Sequence, residues 1–137
     1  NGATTPGSIV ITGTTTDYRT TSDYRLKEDL QDFNGLDMIS NIPVYDYKWK
    51  SEDSRAYGVM AHELQEVLPN AVVGEKDATE EYEITPAVLD EEGNVSEEAV
   101  MGTRDVCQGV DYSKIVPLLV KSIQELKAEI ELLKLNN

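Results

Sequence analysis

Val116-Pro117-Leu118-Leu119-Val120-Lys121-Ser122-Ile123-Gln124-Glu125-Leu126-Lys127-Ala128-Glu129-Ile130-Glu131-Leu132-Leu133 carries the clearest periodicity in the chain, and its reading decides the fold. Val116, Ile123 and Ile130 fall at heptad position a, and Leu119, Leu126 and Leu133 at d. A stripe this narrow and regular is an oligomer seam more often than the core face of a monomer. Pro117 lies near the start, where a lost amide costs least. Glu129 at g and Lys134 at the following e can pair between parallel chains. The spacing therefore predicts a long C-terminal helix, within 112–135, that meets copies of itself.

Upstream, the chain changes character. From Glu75 to Glu98 the acidic residues Glu75, Asp77, Glu80, Glu81, Glu83, Asp90, Glu91, Glu92, Glu97 and Glu98 face only Lys76. Tyr82, Ile84, Val88, Leu89, Val95 and Val100 punctuate them, and Gly93-Asn94 offers a hairpin turn. Residues 75–105 read as an extended β-arm, either simply solvated and self-repelling or bearing apolar residues that need a partner surface. Ala61 to Leu68 reads as a short helix with Leu64, Val67 and Leu68 inward, stopped at Pro69. Val44 to Trp49 alternates, with Tyr45, Tyr47 and Trp49 on one face and Asp46 and Lys48 on the other. Asn34 can cap a short helix through Leu36, Ile39 and Ser40 that ends before Pro43. Leu26, Leu30 and Phe33 fit either a helical face or an irregular extended segment.

Residues 1–21 form a Thr/Gly-rich, lysine-free leader with one β signal, Ser8 to Thr12. So few apolar residues cannot bury a core, which leaves a flexible leader or a strand that pairs with other chains. At 137 residues and 39% hydrophobic content the whole is one domain plus an appendage, α+β in class. The net charge of −14 disfavours nucleic acid and anionic membrane as partners. No apolar run approaches a membrane span. Cys107 is the single cysteine and His62 the single histidine, so no zinc-type cluster and no cofactor motif is expected. A reducing compartment fits that cysteine usage.

Ser22-Asp23-Tyr24-Arg25-Leu26-Lys27 marks the boundary between leader and domain. A serine can be a nucleophile and a nearby lysine its general base, provided the amine is neutral. An offset of five puts the two side chains about 140° apart on an α-helix, and on opposite faces of a strand. Bringing them together needs a bend within Asp23 to Leu26, or a lysine from a neighbouring subunit. Arg25 can act as a cation beside the lysine, or clamp Asp23.

Four ordered blocks carry a resemblance: Ser22-Asp23-x-Arg25-Leu26-Lys27; Tyr45-Asp46-Tyr47-Lys48-Trp49-Lys50; Tyr57-Gly58-Val59-Met60-Ala61-His62-Glu63-Leu64-Gln65-Glu66-Val67-Leu68-Pro69; and Val110-Asp111-Tyr112-Ser113-Lys114-Ile115-Val116-Pro117-Leu118-Leu119. Over about Ser22 to Asn137 the chain resembles the endosialidase-type intramolecular chaperones. These lie at the C-termini of phage tail spikes and tail fibres, the organs of host attachment, and cleave themselves off as serine peptidases. The family commonly has Gln where His62 stands, so no role is carried over to it.

The resemblance implies a homotrimer, although β-branched residues at a with Leu at d favour two strands in isolated coiled coils. It implies that 1–21 ends a fibre or tailspike stalk and that 22–137 is the chaperone, with 75–105 a projecting arm that embraces the fibre. It implies a single-turnover endopeptidase without cofactor or metal, with Ser22 as nucleophile, Lys27 as base and Thr21-Ser22 as the cleaved bond. Asp23 and Arg25 would support the dyad. Folding would take place in the host cytoplasm during virion assembly. The fibre would stay in the virion tail and the released chaperone would be absent from it. A structural trimerisation cap that folds the fibre without cutting is the alternative.

Overall fold

The computed structural model describes residues 7–136, which divide into two compact units on either side of the Phe33–Asn34 junction. The break thus falls between Phe33 and Asn34 and not at Ser22, because the turn at Ser22 stays with the leader. The expected cleavage boundary is a chemical one and need not coincide with it.

In the first unit β1 (Gly7–Ile11) pairs antiparallel with β2 (Thr16–Thr20), Ile9 opposite Tyr18. Among the described residues of the leader, the β signal at Ser8 to Thr12 is thus paired within its own chain, to β2. Thr16, Tyr18 and Thr20 have the β-branched and aromatic character that suits a ladder, and the Thr12 amide donates to the Thr15 carbonyl at 2.9 Å to close the turn. A single 3-10 turn follows at Tyr24–Leu26. Residues 27–34 form neither helix nor strand, so Leu30 and Phe33 belong to an irregular segment, while Leu26 ends the 3-10 turn.

The second unit opens with α1 (Gly35–Ser40), whose Asn34 side chain accepts the Asp37 amide, as an N-cap should. β3 (Tyr45–Lys48) and β4 (Arg55–Gly58) make an antiparallel pair, and α2 (Ala61–Val67) follows. β5 (Val72–Val73) pairs with β10 (Gly109–Val110), closing the root of the long excursion between them. That excursion is the acidic segment. β6 (Thr79–Thr85) pairs with β9 (Val100–Asp105), and beyond them β7 (Val88–Leu89) pairs with β8 (Val95–Glu97). At its tip the Gly93 amide donates to the Asp90 carbonyl at 3.1 Å, with Gly93 at φ +86, a conformation that suits glycine. Nearly every residue of this ribbon is exposed.

A 3-10 turn at Tyr112–Lys114 leads into α3 (Ile115–Leu135), so the helix proper starts three residues after the predicted 112. Pro117 falls in its first turn. Ile42, Leu64, Ala71 and Leu118 form the buried core, supported by Met38, Ile39, Val59, Val67, Leu68, Val72, Val110 and Ile115. Leu64 is wholly buried. One face of α3 therefore docks on α1 and the core through Leu118 and Ser122. The heptad stripe points elsewhere: Val116, Leu119, Ile123, Leu126, Ile130 and Leu133 are 42–64% exposed. Much apolar surface is thus left open beside a small core.

Candidate active site

The site is built by one turn. Asp23 has extended backbone, and its carboxylate accepts the Arg25 amide at 2.9 Å, so it caps the 3-10 turn from the front. The Lys27 amide donates to the Tyr24 carbonyl at 3.2 Å and closes it from behind. A 3-10 turn needs only three residues to reverse the chain. Ser22 and Lys27 stand just before and just after it, and Lys27 Nζ donates to Ser22 Oγ at 2.5 Å. The bend that an offset of five requires is present within a single chain.

Arg25 grips Asp23 with both arms of its guanidinium, Nε to Oδ1 at 2.9 Å and Nη2 to Oδ2 at 2.7 Å. The pair holds the Asp23 carboxyl below its usual range and raises the Arg25 guanidinium, each chiefly through that hydrogen bond. Of the two roles open to Arg25, the Asp23 clamp is the one the geometry has. The clamp rigidifies the turn on which Ser22 and Lys27 sit. Thr21, Ser22 and Lys27 are all exposed in the single chain. Among the described residues no His, Cys, Asp and Glu side chains group so as to hold a metal ion.

Sequence reasoning missed Glu125. Its carboxylate accepts the Gly35 amide at 3.2 Å and the Leu36 amide at 2.7 Å, and Lys121 stands 3.6 Å away. These contacts, the Leu36 amide first, hold Glu125 below the ordinary carboxylate range. No local signal announces such a contact, because its partners lie about ninety residues away in the chain.

The family model for the chaperone of endosialidase, Peptidase_S74, matches residues 22–73. That match begins at Ser22, and over this segment the chain is similar to the endosialidase-type intramolecular chaperones. Among solved structures the chain is similar to the carboxy-terminal domain of the bacteriophage T5 L-shaped tail fibre with its intramolecular chaperone domain. There the TM-score is 0.51 at 16% identity, over 95% of this chain and 34% of that one. The chain thus spans about a third of the T5 chain, and the likeness is one of fold. It also matches a structure described as a novel intramolecular chaperone, with a TM-score of 0.45 at 22% identity, over 78% of this chain and 99% of that one. No curated protein matches the sequence.

Proposed function

We propose that this chain trimerises and folds the phage tail fibre or tailspike preceding it, then releases itself by cutting Thr21-Ser22. The carrying observation is Lys27 Nζ at 2.5 Å from Ser22 Oγ, on a clamped turn at the first residue of the family match. Ser22 Oγ adds to the Thr21 carbonyl carbon while the neutral Lys27 amine takes the hydroxyl proton. The carbon–nitrogen bond then breaks, and Lys27 returns the proton to the departing Ser22 amine. This leaves the Thr21 carboxyl as an ester on Ser22 Oγ. Water hydrolyses the ester, giving a Thr21 carboxylate and a free Ser22 hydroxyl. Attack on the neighbouring carbonyl gains from proximity without any substrate-binding step.

A lysine base needs water removed from around it, and both groups are open to solvent in the single chain. Assembly along the exposed α3 stripe supplies that step in this reading, so cleavage reports completed folding. Release leaves the fibre to persist by a high unfolding barrier. It also places the chaperone in the host cytoplasm during assembly and outside the finished virion. The same exposure favours the second reading, a cap that trimerises without cutting. Mass spectrometry of the chain produced behind its natural upstream segment separates the two: fragments ending at Thr21 and starting at Ser22 support cleavage, and an intact assembled chain supports the cap.

A further inference from the structure

A cleft of about 660 Å³ opens in the 34–137 unit, lined on its apolar side by Tyr47, Trp49, Val59, Met60 and Tyr112. Trp49, the chain's only tryptophan, is 55% exposed and meets the Tyr47 ring edge-on, centroids 5.2 Å apart. Lys48 and Lys50 supply positive charge to the same lining. Lys48 pairs with Asp53, whereas Lys50 makes no ion pair among the described residues.

The ribbon tip has the opposite chemistry. Asp90 to Glu98 contains no basic residue, and Glu91, Glu92, Glu97 and Glu98 make no ion pair among the described residues. Val88, Leu89 and Val95 beside them are 46–59% exposed. The Asp90 carboxylate accepts the Glu92 and Asn94 amides, both at 2.9 Å, so the turn is already shaped and loses little freedom on docking.

We infer that the ribbon tip of one copy docks in the Trp49 cleft of a neighbouring copy. Val88, Leu89 and Val95 cover the aromatic lining, and Glu91 and Glu92 meet Lys50 and Lys48. The occupant is a second copy because the cleft lies at the root of the chain's own ribbon: Gln108, just past the end of β9, lines it. Ten or so residues of strand carry the tip about 30 Å from that root. Charge decides the partner's face. With a net charge of −14, copies of this chain repel one another broadly, so a contact that sets an acidic tip on a basic cleft offsets the repulsion locally. The β6–β9 part of the ribbon stays available to the upstream chain. This inference rests on the assembly reading above, since it needs a neighbour.

Trp49 itself is the probe. In the assembled full chain its fluorescence should resist acrylamide, and deletion of 90–98 should raise the quenching constant at least twofold. Lys50→Glu should do the same, and adding Glu91→Lys to it should restore protection. Mixing tip-deleted chains with Trp49→Phe chains that keep the tip should also restore protection, because only the deleted chain reports. Sedimentation runs on each sample. A monomer throughout overturns the assembly reading and this inference with it. An assembled protein whose Trp49 is quenched equally with and without the tip overturns this inference alone.

Discussion

The Glu125 carboxylate on α3 accepts the Leu36 amide at the start of α1, at 2.7 Å. A helix of six residues leaves nearly all its first-turn amides without internal partners. Asn34 satisfies one from its own side, and Glu125 satisfies two more from across the interface. The residue after Glu125 is Leu126, part of the exposed stripe. The helix that carries the exposed stripe is thereby locked to the first element of the 34–137 unit.

That lock leaves no room at Gly35. A Cβ there would lie 2.7 Å from Lys121 Cγ and 2.9 Å from the Ser122 amide nitrogen. Backbone cannot yield as a side-chain end can, so Gly35→Ala should force α1 from α3 despite alanine's better helix propensity. The expected loss is about 1–3 kcal/mol. Urea denaturation at one fixed protein concentration measures it, since assembly makes stability concentration-dependent.

Acid should undo the same contact. Glu125 is held below its ordinary pKa in the folded chain, chiefly by the Leu36 amide. A depressed carboxyl contributes stability above its unfolded pKa and loses it as pH falls through the folded value. The difference in urea midpoint between the natural chain and Glu125→Gln should therefore be largest near neutrality. It should shrink below about pH 4.3, where an unperturbed glutamate titrates. An undiminished difference at lower pH would assign the role of Glu125 to packing.

The long helix and its stripe were legible because a 3.5-residue repeat is written in consecutive apolar positions, and the Asn34 cap because N-caps are local. Less local features were not. Thr16-Asp17-Tyr18-Arg19-Thr20 is too polar to announce β2, and its ladder depends on β1 being opposite. The Tyr24–Leu26 turn leaves no periodic trace in three residues, though Asp23 two positions before Arg25 is a turn-forming residue. The heptad pattern drew attention to one face of α3. Leu118, Ser122 and Glu125, which tie the helix to its own chain, lie on another.

Leu126→Asp should dissociate the assembly. The side chain is 42% exposed in the single chain, so the substitution leaves the monomer's core untouched. In a closed seam it would bury an unpaired carboxylate, which costs far more than a lost leucine contact. Sedimentation should show three chains per particle for the natural protein and one for the variant. Cleavage should disappear with assembly, although Ser22 and Lys27 are intact. A variant that stays assembled would mean α3 does not provide the seam.

Ser22→Ala should abolish cleavage and leave assembly unchanged, because it removes the hydroxyl and almost no volume. Lys27→Arg should fail as well, since a guanidinium stays protonated and cannot take the hydroxyl proton. Mixing the two variants during folding then asks where the base comes from. Within one chain Lys27 Nζ already reaches Ser22 Oγ, so a mixed assembly should not cut: one chain lacks its nucleophile and the other its base. Fragments from the mixture would instead show that a neighbour's lysine serves Ser22. Mass spectrometry reads either result directly, because cleavage at Thr21-Ser22 gives one defined pair of masses. Lys27→Arg alone cutting at the natural rate would remove the lysine from the mechanism while leaving the chaperone reading in place.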